Sequence, residues 1–251
     1  MNQESHWDDV GKKYDGEIFD VFKSDKEKRL LYYFKKHSNT SHQALDFGCG
    51  VGKAFPYLAP AFAKVLAIDI SSGLLDTARQ APYKNITYKR ADLTNRRLIF
   101  PPTDFLFCCN VIMLPEIEKN ADMIRNVYKA LRNGGIGLSI VPSLESVMFS
   151  SWRLIEWYRK EGVTPMEVPD HEFAYFKAAK RELLQGIIHI DKVPTKHYSE
   201  PEIQVLFKDA GLEVTAIEKL EYHWDTEFAS PPAWMKAPYP WDWLIECTKT
   251  K

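Results

Sequence analysis

No run in this chain approaches the ~18 consecutive apolar residues of a membrane span, and the opening MNQESHWDDV is polar and acidic where a secretory leader is basic and then apolar. A cytoplasmic protein without a membrane partner is the expectation. Charge of one sign is missing too: 33 lysines and arginines stand against 34 aspartates and glutamates, a formal net charge of −1. No global basic field is left to gather phosphates, so nucleic acid is not an expected partner. Cysteine is scarce, with four in 251 residues. Cys49, Cys108, Cys109 and Cys247 fall in a glycine loop or in expected strands, which points to reduced thiols and not to a disulfide framework. Adjacent strand residues point to opposite faces, so Cys108 and Cys109 are poorly placed to share a metal. No His-x-x-x-His spacing occurs either, and no metal site is expected. Repeats and low-complexity segments are absent.

What is present is an ordinary globular composition, 45% hydrophobic and 27% charged, long enough for one large α/β domain with an insertion. The most informative stretch is residues 44–57, ALDFGCGVGKAFPY. Its apolar start reads as a short buried strand, Gly48, Gly50 and Gly52 follow at alternate positions, and a helix begins after Lys53. Glycines between a strand and a helix let the backbone approach a ligand closely. A dinucleotide fingerprint places two spacers before its third glycine and cradles a pyrophosphate. Here the spacing differs, and Asp46 just before the loop would repel a dianion. The same carboxylate suits a ligand carrying an ammonium and a sulfonium.

At Leu45-Asp46-Phe47-Gly48-Cys49-Gly50-Val51-Gly52 the chain resembles the class I S-adenosylmethionine-dependent methyltransferases. The resemblance spans about residues 40–142 and 199–248 and implies S-adenosylmethionine as cofactor. A second strand, KVLAID at 64–69, ends in Asp69, placed ~20 residues beyond the loop to accept hydrogen bonds from ribose hydroxyls; Ile70 follows it. A third strand at 86–90 runs into Ala91-Asp92-Leu93, and by resemblance Asp92 faces the adenine amino group. A fourth at 104–109 runs into Asn110-Val111, the family position bordering the methionine and ribose. Polar residues at four successive strand ends suit one ligand. In the N-terminal 1–37, expected as two helical parts, an aromatic ring packs on the methionine end in relatives; Tyr14 is the first candidate and Trp7 the second, with plain core packing the alternative for both.

The alternation of strands and helices from 44 to 141 implies a parallel sheet with helices on both faces, and the resemblance implies a Rossmann-like, seven-stranded, mostly parallel sheet. A helix over 115–131 closed by Asn133-Gly134-Gly135 and a strand at 136–141 continue it. Residues 143–197 read as a helical cap insertion, with helices over 146–160 and 173–185. Ser199-Glu200-Pro201-Glu202 reads as a capping box opening a helix that stops at Gly211. The last two strands, 212–220 and 243–248, flank an aromatic and proline-rich loop. The whole chain is thus one domain: N-terminal helices over 1–40, a core of 41–142 and 198–251, and a cap between.

Methyl transfer needs in-line approach, exclusion of water and removal of a proton where the acceptor carries one. Six of the seven tryptophans lie at or beyond position 152, so the acceptor is sought there, as an aromatic molecule or an amine held by cation–π contact. Those rings serve equally well as a small core or a dimer interface. His197 and Tyr198, where the insertion rejoins the core, are the candidate catalytic residues; His171, His189 and His223 rank below them. The Asn/Asp-Pro-Pro-Tyr signature of base and glutamine methyltransferases is absent, the residues being Asn110-Val111-Ile112-Met113. The expected activity is methyl transfer to an oxygen, nitrogen or carbon of a small molecule. The rivals are a non-catalytic S-adenosylmethionine-binding or protein-directed methyltransferase and a nucleotide-dependent oxidoreductase.

Overall fold

The computed structural model describes residues 19–190 and 192–250; Tyr14 and Trp7 lie outside them. Seven strands form one sheet in the order β3-β2-β1-β4-β5-β9-β8. Its members are β1 (Asn39–Phe47), β2 (Phe62–Asp69), β3 (Ile86–Arg90), β4 (Thr103–Cys109), β5 (Leu131–Pro142), β8 (Leu212–Glu221) and β9 (Trp241–Lys249). The first five pair in parallel, and β9 runs antiparallel to both β5 and β8. The expected mostly parallel seven-stranded sheet and its closing antiparallel pair are therefore present. Reversal of strand order at β1 and β4 leaves a crevice at their carboxyl ends, the place where open α/β sheets bind ligands.

Both faces are covered because the central strands are apolar on both sides. One face carries α1 (Val21–Ser24), α2 (Arg29–His37) and α3 (Phe55–Ala61), with Leu30, Tyr33, Phe34, Phe55 and Leu58 packed on Phe105 and Phe107. On the other, α5 (Ile117–Ala130) and α8 (Glu200–Asp209) bury Met123, Ile124, Val127, Ile203 and Phe207 against Leu45, Phe47 and Leu106. The short helix α4 (Ser72–Ala78) starts at Ser71, whose hydroxyl accepts from Leu74 N at 3.1 Å. Two buried asparagines of α5 fix the ligand-side loops. Asn126 donates to the carbonyls of Leu93 and Asn95 at 2.8 and 3.0 Å, and Asn120 exchanges two bonds with the backbone of Leu114.

The insertion is less helical than its sequence suggests. Its long helix α6 (Leu144–Lys160) is capped by Ser143, which accepts from Ser146 N at 3.0 Å. The single helix expected over 173–185 is instead a 3-10 segment (Asp170–Phe176) followed by α7 (Lys180–Leu184). Phe173 leaves helical geometry, and Glu182 accepts from Ala179 N at 2.8 Å, which opens a fresh helix there. The hairpin β6 (Ile187–Ile190) with β7 (Val193–Lys196) was not expected; its β-branched residues favour a strand over a helix.

The capping box at Ser199 is also corrected. Ser199 makes no capping bond, and the N–H of Glu200, the first helical residue, is taken by Glu145 Oε1 at 3.0 Å. Glu202 points away from the helix terminus to Lys196, whose ammonium is 1% exposed and donates to Glu202 at 2.7 Å and to the His197 carbonyl at 2.9 Å. A buried ammonium dominates over a cap because an unpaired charge costs more than an unmade helix-end bond. Glu202→Ala is expected to destabilise the protein by about 3 kcal/mol, the low end for breaking a buried pair since Glu202 is partly solvated, read as a lowered urea midpoint with an unchanged slope.

Candidate cofactor and acceptor site

The glycine loop is shaped by the carboxyl end of β1. Gly48 and Gly52 sit at φ +85° and +87°, the left-handed region that glycine alone adopts freely. A Cβ on Gly48 would lie 2.3 Å from Val111 Cγ2, and one on Gly52 would lie 2.3 Å from the Phe55 ring. Val111 is thus held against the loop, and β1 and β4 meet there as the sequence order implies. The N–H groups of Gly48 and Cys49 both donate to the Ile68 carbonyl at 2.9 Å, so β2 fixes the loop's height.

Two carboxylates define the polar floor. Asp69 is 7% exposed; its Oδ2 accepts from Gly50 N at 2.8 Å and its Oδ1 from Ser71 N at 2.9 Å. The Asp69 carboxylate thus braces the glycine loop and the turn after β2 together. Asp46 is 2% exposed, and its Oδ2 has no hydrogen-bond partner in the protein. Burial, with Asp69 nearby as a lesser cause, pushes the Asp46 carboxyl up to about 8. A buried acid without a partner is costly and calls for an explanation.

Ala91 is tied to β2 through its N–H, 2.9 Å from the Asp69 carbonyl, and Leu93 is buried. Asp92 is exposed and its Oδ1 accepts from Thr94 N and Oγ1 at 2.9 and 2.7 Å. Asn110 takes a left-handed conformation, φ +53°, its N–H donating to the Ile140 carbonyl at 3.0 Å, and its buried Oδ1 is without a partner. The strand-end residues Asp46, Gly48, Gly50, Gly52, Asp69, Ile70, Asn110 and Val111 thus gather around one crevice.

His197 and Tyr198 do not fit the catalytic roles expected of them. His197 is buried, its Nδ1 sits 3.1 Å from the Thr195 carbonyl, and burial pushes the imidazole down to about 4. A ring so weakly basic is a poor proton acceptor at neutral pH. Tyr198 lies in the apolar layer with Leu45, Phe47 and Val141, and burial raises its phenol well above the ordinary range. Proximity to the insertion's return marked both residues, but the local chain turns them into the core.

The late aromatic residues pack chiefly on one another. Phe149 of α6 meets Trp152, Trp224 and Trp241, Trp224 stacks on Phe228, and Arg153 lies over Trp224 and Trp234. Sequence reasoning missed two residues beside them. Tyr222 donates to Asp242 Oδ2 at 2.8 Å, and Asp242 pairs in register with Pro142 at the carboxyl end of β5. The signal was Trp241-Asp242-Trp243: strand alternation that buries both tryptophans on one face turns the acid to the other. Among the described residues no group of three or more histidine, cysteine, aspartate or glutamate side chains is placed to hold a metal, and no helix is long and apolar enough to cross a membrane.

Residues 44–135 match a family model described as a methyltransferase domain. A curated relative, the biotin biosynthesis bifunctional protein BioHC of Teredinibacter turnerae, is 27% identical over 126 residues, which are 45% of this chain and 22% of that protein. The chain therefore aligns with only about a fifth of that relative's length. Among solved structures, an S-adenosylmethionine-dependent methyltransferase from Methanosarcina mazei superposes with a TM-score of 0.63 at 16% identity, covering 87% of this chain and 97% of that one. A chain from the Haloferax volcanii complex of the Trm112 methyltransferase activator with a methyltransferase gives 0.62 at 14%, covering 100% and 99%. DhpI, solved with S-adenosylhomocysteine, gives 0.62 at 14%, covering 99% and 95%. Residues 44–135 therefore match the methyltransferase-domain model, and the strand order is the Rossmann-like fold shared with these S-adenosylmethionine-dependent methyltransferase structures.

Proposed function

We propose that this chain transfers a methyl group from S-adenosylmethionine to an oxygen, nitrogen or carbon atom of a small molecule in the cytoplasm. The observation that carries the cofactor assignment is the pair of buried oxygens without partners, Asp46 Oδ2 and Asn110 Oδ1, at the ends of the neighbouring strands β1 and β4. Both can accept hydrogen bonds and stand at adjoining strand ends beside a glycine loop with no room for a Cβ, which suits a ligand rich in N–H and O–H donors. Asp46 would draw the ligand's ammonium, and Asp69 would take its ribose hydroxyls while holding Gly50. Ile70, Ala91, Asp92 and Leu93 would border the adenine, and Asn110 with Val111 the methionine. Bound there, S-adenosylmethionine supplies an electrophilic methyl group on a sulfonium. The protein's part is orientation and exclusion of water, and the four free cysteines, three of them buried, accord with a reducing compartment.

A small acceptor is favoured over a protein substrate because α6 packs through Phe149 on Trp224 and Trp241 and through Ser146 on the Trp241 backbone, which joins the insertion to the start of β9 next to Asp242. Incubation with tritiated-methyl S-adenosylmethionine and a panel of phenols and amines, followed by separation of small molecules from protein, tests this. Label in the small-molecule fraction is the expected result. Label in added protein alone would transfer the reading to the protein-directed class, for which the activator-bound Haloferax relative offers a parallel in fold.

A further inference from the structure

Besides Asp46 and Asp69, a third carboxylate stands at the carboxyl edge of the sheet with no part in cofactor binding. Asp242 begins β9 opposite Pro142 of β5, and Asn110 ends β4, bonded through its N–H to Ile140 of the same β5. The Tyr222 hydroxyl donates to Asp242 Oδ2 at 2.8 Å, and the Asn110 side chain and the Ser143 backbone lie close enough to favour the ionised carboxyl. The carbonyl Oδ1 of Asn110 is buried and without a partner. The cluster has an apolar wall, since the Phe19 ring packs edge-on to Tyr222 with centroids 4.7 Å apart.

We infer that Asp242 is a catalytic residue that receives the proton of the methyl acceptor, and that Asn110 Oδ1 and Asp242 together select an acceptor whose reacting atom is a hydroxyl or amine carried on a ring. This rests on the cofactor reading above and deepens it. Asn110 belongs to both halves of the site, because the family position that borders the cofactor also touches Asp242. As the acceptor's oxygen or nitrogen lone pair forms the new bond to carbon, the carbon–sulfur bond breaks and its electron pair stays on sulfur. The acceptor's X–H proton passes to the Asp242 carboxylate, so the sulfonium becomes a neutral thioether and charge balances.

The groups around Asp242 accord with that task. Burial and the Glu227 carboxylate raise it, while Tyr222, Asn110 and Ser143 lower it, and the balance stands at about 7. Cys109 of β4 also lies near Asp242, and burial holds that thiol neutral. His197, by contrast, is far less basic, and Tyr198 lies with the residues packed under α5 and α8.

The test is calorimetric titration of the protein saturated with S-adenosylhomocysteine, using benzylamine and phenol as probes. Wild type is expected to bind at least one of them saturably, Asp242→Asn to bind it at least tenfold more weakly, and both proteins to hold S-adenosylhomocysteine equally well. Tyr222→Phe, which keeps the carboxylate and removes one donor, serves as the second variant should the first fail to fold, with a several-fold loss expected. Failure of both probes to bind the wild-type complex, or unchanged probe affinity in the variants, overturns the proposal. Failure of wild type to bind S-adenosylhomocysteine at all removes the cofactor reading, and this proposal with it.

Discussion

Asp46→Asn is expected to weaken S-adenosylmethionine binding about 10²-fold, the equivalent of 2–3 kcal/mol for the loss of one member of a buried charge pair. The same substitution is expected to change the pH dependence of the cofactor-free protein. The Asp46 carboxyl stands at about 8 in the fold against an ordinary 3.8. A raised acid is a stabilising proton-binding difference that is fully present below the ordinary value and lost as pH climbs through the folded one. The wild-type protein without cofactor therefore gives up stability between pH ~4 and ~8, by at most on the order of 5 kcal/mol from this group. In the asparagine variant that decline is absent, so it overtakes wild type in denaturant midpoint at pH 8 while lagging in cofactor affinity. Urea unfolding at pH 5 and pH 8, with and without cofactor, reads both effects. A variant that binds cofactor normally would remove the charge argument for this residue.

Asp69→Ala acts through the backbone. Its carboxylate accepts from the N–H groups of Gly50 and Ser71, and truncation removes both of these bonds, one in the glycine loop and one in the turn after β2. Charge-assisted bonds contribute about 1.5–3 kcal/mol each, so a stability loss of about 3 kcal/mol is expected, together with loss of cofactor binding beyond the reach of titration. Asp69→Asn retains one acceptor and is expected to recover more of the stability than of the affinity. Equal recovery of both would mean that Asp69 braces the loop and does not touch the ligand.

The parts of this fold that were legible beforehand are those set by local pattern. The strand expected at 86–90 is β3 to the residue. The glycine loop was legible because positive φ and the lack of room for a Cβ at Gly48 and Gly52 call for glycine there, and Asp69 because it holds the N–H groups of Gly50 and Ser71. What misled were residues whose partners are remote in sequence. Ser199 and Glu202 had the spacing of a capping box, yet Lys196 claimed the glutamate and Glu145, 55 positions away, claimed the helix terminus. His197 had the right place in the chain, but burial made it a weak base. Asp242 was hidden at the boundary of an expected strand, and only the pairing of β9 with β5 sets it beside Asn110.

The most direct test of the central claim, that Asp46 is the carboxylate that receives the cofactor's positive charge, is calorimetric titration with S-adenosylmethionine at pH 7 in two buffers of different ionisation enthalpy, with NADH run beside it. Asp46 is protonated in the free protein at that pH and must ionise on binding. The account predicts saturable binding of S-adenosylmethionine with release of close to one proton per molecule in wild type and none in Asp46→Asn, and no binding of NADH. Binding of NADH alone, or binding of S-adenosylmethionine with identical proton release in the variant, would contradict it.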